Sequence, residues 1–269
     1  AGGGRGGYNG SWVENGSGGA GGLVYSAAYP LASGTTYNLS VGDGAAGAAG
    51  ANASDSVFDS SGTTLTLTAT AGGNGGNRAS GGYEGGSGGG GGGGSGPGAS
   101  ATQTADFGSG TATGYGQDGF DGTSTPSNDG GAGGSSGDGG SGRDAGIGRY
   151  YSGFLAWGTD SSNVASTGSN GGWFASGAGA PGNNGHGTAQ KGGGANAPTS
   201  TGAGVAGMAN TGGGGSGGRS SNTPGAGGSG IILIRYSGSP TATGGTRTES
   251  GGYTYHAYTS TVSSTFVTD

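Results

Sequence analysis

The sequence contains no cysteine, so neither a disulfide framework nor a thiolate metal site can be built from it. Charge is nearly as scarce. Charged residues make up 8% of the chain, Lys191 is the only lysine, and the formal net charge is −6. The arginines are scattered and form no basic stripe. Nothing here would neutralise a run of phosphates, so no nucleic-acid partner is expected. No apolar run approaches the roughly 20 residues of a membrane-spanning helix, so no membrane insertion is expected. Leu, Ile, Val and Phe together number 25 among 269 residues, far below the level of an ordinary globular core. Glycine-rich text starts at residue 1, with the expectation that any leader peptide is removed or was never present.

Low hydrophobicity implies disorder when it comes with high net charge. Here charge is low, and 12 tyrosines and 3 tryptophans are too many for a plain linker. Order is therefore expected, and it has to be built from glycine, of which there are 81. Residues 72–98 (GGNGGNRASGGYEGGSGGGGGGGSGPG) carry seven uninterrupted glycines at 88–94. Glycine loses more conformational freedom on ordering than any other residue. Its structural use is to let backbones approach closely, as at the axis of collagen. The strict every-third spacing of collagen is absent. A packed array of polyproline-II-like glycine strands fits better, with each N–H and C=O paired to a neighbouring strand. Residues 88–94 are then one or two inner strands of that bundle.

Strand signals flank the glycine. Residues 23–28 (LVYSAA) read as a strand ended by Pro30. Residues 36–41 (TYNLSV) alternate, with Tyr37, Leu39 and Val41 on one face. Residues 57–58 are a short third strand, and after a turn at 60–62 residues 64–70 (TLTLTAT) give the clearest alternation. Trp12 and Val13 form a brief apolar landing point near the start. Residues 21–70 are expected to form one small antiparallel sheet. Far downstream, residues 231–236 (IILIRY) read as a strand buried on at least one face, and residues 253–267 (YTYHAYTSTVSSTFV) suggest two more. No α-helix is predicted, because glycine and β-branched residues stand where helix formers would be needed. The predicted fold is all-β and irregular, with a small antiparallel sheet or sandwich capping a polyglycine-II-like bundle. Residues 1–238 form the glycine-rich module, with strands at about 21–70 and 230–236 and the bundle at 71–229. Residues 239–269 form a C-terminal strand extension.

Catalytic motifs do not stand out. G-x-S-x-G at 85–89 lacks the strand and helix of a nucleophile elbow, and the G-x-G-x-x-G matches lack a strand–helix unit. Residues 139–147 (GGSGRDAGI) approach a calcium β-roll repeat, but Gly146 stands at the apolar position and the unit is not repeated. Residues 118–122 (DGFDG) are either an acidic cation loop or an Asx-type turn. His186 and His256 have no partner set and suit surface or packing roles. No catalytic residue, cofactor site or metal site is assigned, and no enzyme is expected. The aromatic cluster at 150–157 (YYSGFLAW), followed by Trp173 and Phe174, either fills the end of the bundle or serves as a carbohydrate platform. The sequons at Asn9, Asn15, Asn38 and Asn52 would matter only in a eukaryotic secretory protein.

Residues 18–44 (GGAGGLVYSAAYPLASGTTYNLSVGDG), then SVF, the long polyglycine region and GSGIILIRY at 228–236 resemble the glycine-rich domain of phage tail and fibre proteins. The resemblance covers about residues 18–236. It implies a structural or receptor-binding part of a virion, with polyglycine-II helices in the adhesin-like members. In that comparison, the tail at 251–267 looks like a lead-in that precedes the module in tandem versions. The order is permuted, as though each chain carried the opening strands of the next. The tail then either inserts into the following subunit by β-strand addition or folds back onto its own sheet.

The expected function is a non-catalytic structural subunit of an extracellular or virion fibre, joined to copies of itself head to tail through terminal strands. Ile231, Ile232, Leu233, Ile234, Tyr253, Tyr255, Tyr258 and Phe266 are the candidate assembly residues. The alternative is an adhesin touching a cell-surface glycan through Tyr150, Tyr151, Trp157, Trp173 and Phe174. An ice-binding role is a third reading, for which no flat ladder of Ala or Thr is visible.

Overall fold

The computed structural model describes residues 1–7, 14–48, 51–60, 65–107, 111–124, 129–138, 140–183, 185–199, 202–219 and 222–269. Trp12, Val13, most of the turn expected at 60–62, the first residue of the strand expected at 64–70, and Asn9 lie outside them. Among the described residues the chain is all-β. It has no α-helix and a single 3-10 turn at Ser152–Phe154.

The glycine segments pack as parallel and antiparallel extended strands whose hydrogen bonds repeat every third residue. Residues 14–22 show the rule. The amides of Gly16, Gly19 and Gly22 donate to the carbonyls of Gly76, Gly73 and Thr70, so one face meets a single antiparallel neighbour. Ser17 and Ala20 donate to Gly131 and Gly134, and Gly18 and Gly21 donate to Gly215 and Gly212. The carbonyls turn to three further strands. Gly16 and Gly19 accept from Gly7 and Gly4, Ser17 and Ala20 accept from Gly90 and Ser87, and Gly18 accepts from Ala178. This segment therefore has six neighbours. A three-residue turn is the period of polyproline II, which makes no hydrogen bonds within its own strand. The backbone polar groups must then be satisfied laterally, and the amides of Gly16 through Gly22 all are.

The run at 88–94 obeys the same rule. Its first six glycines are buried, and at Gly94 the chain turns, with a φ of +90°. Ser87, Gly90 and Gly93 donate to Ala20, Ser17 and Glu14, while Gly88, Gly91 and Gly94 donate to Gln117, Phe120 and Thr123. The run is one inner strand followed by a turn. Close approach explains the composition, since a Cβ on Gly89, Gly90 or Gly91 would run into the carbonyls of Asn74, Gly131 and Gly96.

The strands that cap the bundle are β1 (Leu23–Ser26), β2 (Thr36–Ser40), β3 (Ser56–Ser60), β4 (Leu67–Ala69), β5 (Ala112–Tyr115), β6 (Arg149–Tyr150), β7 (Trp173–Phe174), β8 (Pro181–Gly182), β9 (Gly185–His186), β10 (Ile232–Ser237), β11 (Ala242–Thr243), β12 (Thr246–Ser250), β13 (Tyr253–Tyr258) and β14 (Ser264–Thr268). They form a five-stranded sheet ordered β11-β14-β2-β3-β4, a three-stranded sheet ordered β10-β13-β12, and three two-stranded pairs. All named pairings are antiparallel.

Two expectations need correction. Residues 21–70 do not make one sheet, because β1 leaves β2, β3 and β4 to pair with β5, a strand whose buried positions are only Ala112 and Gly114. The bundle is not confined to 71–229, since residues 1–7 and 14–22 are among its inner strands. The two strands expected within residues 253–267 are present as β13 and β14, and two strands not expected, β11 and β12, precede them.

The core lies between the two larger sheets. Tyr37, Leu39, Phe58 and Phe266 from the five-stranded sheet meet Tyr258, with Ile232, Ile234 and Tyr236 packed against them. Tyr37 and Phe266 are fully buried, their rings 6.1 Å apart. The outer face of β10 has its own partners. Ile231 and Leu233 pack with Leu23, Tyr151, Phe154, Trp157 and Phe174. A strand sandwiched in this way needs an apolar run, and residues 231–236 supply it.

Candidate functional site

The candidate assembly residues fall at the junction of module and tail. β14 sits between β2 of the module and β11, pairing Phe266 with Tyr37 and Val267 with Thr36. β13 covers the module strand β10 over six residue pairs, from Ile232↔Tyr258 to Ser237↔Tyr253. Both larger sheets are therefore built jointly by module and tail. The link between the two parts is the segment 238–241, where Gly238 has a φ of +90° and Pro240 follows.

A polar network locks this junction. His256 is fully buried, and its Nδ1 lies 2.6 Å from the carbonyl of Gly244. A carbonyl only accepts, so Nδ1 carries a proton, and in that tautomer Nε2 is an acceptor. The Tyr236 hydroxyl donates to it at 3.1 Å and itself accepts from the amide of Thr241. The Tyr258 hydroxyl donates to the carbonyl of Thr265 at 3.1 Å. Burial pushes that hydroxyl's pKa up to about 12.

Tyr253 and Tyr255 serve differently. Tyr253 is exposed and lies under the Arg235 guanidinium, 4.4 Å from the ring centre. Tyr255 packs on Trp157 at 5.4 Å and edge-on to Phe154 at 6.4 Å, so it ties the tail to the aromatic loop.

β1 and β10 each have a partner strand on one side only. Both line an apolar cleft of about 370 Å³, together with Phe58, Leu67 and Phe154. The Ser26 hydroxyl in its wall is buried and has no hydrogen-bond partner.

The recognition candidates split into two groups. Tyr151, Trp157 and Phe174 pack around Ile231 and Leu233 and fill the end of the bundle. Tyr151 stacks on Tyr25 at 4.5 Å, and burial pushes its hydroxyl well above the usual tyrosine range. Tyr150 stays 47% exposed beside Trp173, 5.0 Å between ring centres. The Lys191 ammonium lies 4.3 Å over the Trp173 ring.

The acidic loops carry structural roles. Asp118 and Asp121 accept from the amides of Ala101 and Gly98, which extends the three-residue rule with carboxylates in place of carbonyls. In the β-roll-like stretch, whose Gly139 lies outside the described residues, Asp144 accepts from Thr188, and Arg143 pairs with Asp129 at 3.4 Å. Among the described residues no three His, Cys, Asp or Glu side chains are grouped to hold a metal ion. Likewise, no helix there is long and apolar enough to cross a membrane. The serines that sequence reading passed over are the larger omission. Ser17, Ser135 and Ser176 are buried and bridge strands, each donating to one carbonyl and accepting from another segment's amide. Their signal is polar text inside glycine runs.

No protein-family model matches the chain, and comparison with curated proteins and with solved structures finds no match either.

Proposed function

We propose that the protein is a non-catalytic structural subunit of an extracellular or virion fibre. Copies join head to tail when the tail, residues 239–269, is donated to the module of the next copy. One observation carries this reading: both larger sheets are completed by tail strands. The covalent connection between tail and module is the 238–241 link, and every other contact between them is non-covalent. A tail from a neighbour would make the same Phe266–Tyr37 and β10–β13 contacts, so exchange costs little contact energy and a heterologous repeat of it gives an open filament. The polyglycine bundle contributes stiffness between joints, since its strands are held to several neighbours by hydrogen bonds that recur every third residue.

The test is to follow filament growth by light scattering and electron microscopy while titrating a peptide of residues 240–269. The peptide competes for the slot and is expected to shorten or abolish filaments, and a peptide carrying Phe266→Ala should not. Filaments of unchanged length at saturating peptide, or a full chain that stays monomeric at all concentrations, would overturn the proposal.

A second reading, contact with a cell-surface glycan, has the exposed Tyr150 ring in its favour. The neighbouring Trp173 ring already has Tyr150 and the Lys191 ammonium packed against it, which leaves less ring surface for a sugar than the sequence suggested.

A further inference from the structure

β12 is the outer strand of the three-stranded sheet, pairing with β13 on one side and, among the described residues, with no strand on the other. All five of its residues, Thr246 to Ser250, are exposed. Its hairpin with β13 closes through Gly251 and Gly252, both with positive φ, at 58° and 80°. A two-residue turn of this kind makes Ser250↔Tyr253 the first mutually hydrogen-bonded pair. Pairs alternate along an antiparallel ladder, so Thr248 and Thr246 also bond inward to β13. The N–H and C=O groups of Arg247 and Glu249 therefore point outward. Among the described residues neither side chain takes part in an ion pair.

This edge is complementary to itself. A second β12 laid antiparallel with Thr248 opposite Thr248 brings Arg247 opposite Glu249 of the other copy, twice. That register uses all four outward groups of Arg247 and Glu249 in each strand and places opposite charges directly across, where a cross-strand pair is favourable. A slip of two residues loses both charge pairs. Proline and bulges, two devices that keep an edge from pairing, are absent from β12, and its two charges, which would repel a neighbouring strand in other registers, are matched in this one. We propose that β12 is a two-fold interface through which two copies of this chain pair edge to edge, centred on Thr248. It is independent of the tail slot, and in a fibre it joins neighbouring filaments side by side.

The absence of cysteine makes the test clean. The Thr248 pair is a non-hydrogen-bonded one, whose side chains lie close enough for a disulfide. The Thr248→Cys chain is expected to form a disulfide-linked dimer under mild oxidation at least about tenfold faster than the Thr246→Cys chain, whose partner position is Ser250. On the Thr248→Cys background, Arg247→Glu and Glu249→Arg each set like charges opposite one another and slow linkage by roughly tenfold. The double exchange restores the charge pairs and the rate. β12 is exposed, so these variants keep the fold, which far-UV circular dichroism checks. Equal rates for the two cysteine positions, or a double exchange as slow as the single ones, would overturn the proposal.

Discussion

The Tyr236 hydroxyl donates to Nε2 of the buried His256 across the β10–β13 pair, 3.1 Å away. This bond joins the glycine-rich module to its tail. The same hydroxyl accepts from the amide of Thr241, at the link between the two parts. Tyr236→Phe removes the donor and leaves a buried imidazole nitrogen unpaired, which costs about 1–3 kcal/mol. The loss should be local. Amide exchange is expected to quicken in β11, β13 and β14 while residues 88–93 stay protected. A uniform increase across the chain would show that tail and bundle open as one unit.

Inside the bundle the decisive quantity is distance between backbones. A Cβ on Gly90 would enter the carbonyl of Gly131, which is itself held by the amide of Ser17. Neither strand can retreat without breaking its own ladder. Gly90→Ala is therefore expected at or beyond the upper end of ordinary overpacking, about 3 kcal/mol or more, and to lower the melting temperature or prevent folding. Ala20→Gly, in the neighbouring strand, fills no forbidden space and should cost only about 1 kcal/mol. In the unaltered protein the amides of residues 88–93 should exchange far more slowly than that of Ser95, in the turn. Exchange at the rate of free peptide would refute the inner-strand packing.

Legibility in the sequence followed side chains. Tyr37, Leu39 and Val41 alternate because one face of β2 is buried, and the Ile231–Tyr236 run is apolar because both faces of β10 are covered. β5 was missed because its buried alternate positions are Ala112 and Gly114, too small to stand out from the surrounding glycine, and β12 because TRTES has no buried face at all. The order of glycine strands could not be read, since one glycine looks like the next and the register is written in backbone hydrogen bonds. The aromatic candidates were recognised as a group. Which of them turn inward depends on contacts between segments far apart in sequence, such as Tyr25 on Tyr151.

Ser17 offers a test of what holds that register. Its hydroxyl donates to the carbonyl of Gly179 at 2.8 Å and accepts from the amide of Gly217 at 2.9 Å. Ser17→Ala removes the oxygen but keeps the Cβ, which the buried site already accommodates. It leaves a buried N–H without an acceptor, at an expected cost of about 1–3 kcal/mol. Urea unfolding measures this. Ser17→Gly should cost at least as much, because glycine adds flexibility to the unfolded chain without restoring the bridge. A Ser17→Ala chain as stable as the parent would mean that the bridge contributes nothing.

Alkali should unfasten the tail. The folded pKa of Tyr258 lies near 12, above the ordinary value of 10. Below pH 10 the group is neutral in both states and stability does not depend on it. Between pH 10 and 12 the unfolded chain loses the proton while the folded chain keeps it, so stability falls as pH rises. A two-unit displacement bounds the loss at about 3 kcal/mol. Burial acts on Tyr151 in the same sense and adds to the slope. Tyr258→Phe forfeits the bond to Thr265, at about 1 kcal/mol at neutral pH, but no longer titrates. Its unfolding midpoint in urea should therefore start lower than that of the parent and decline less steeply from pH 10 to 11.5. Parallel declines for the two proteins would exclude Tyr258 as the titrating group.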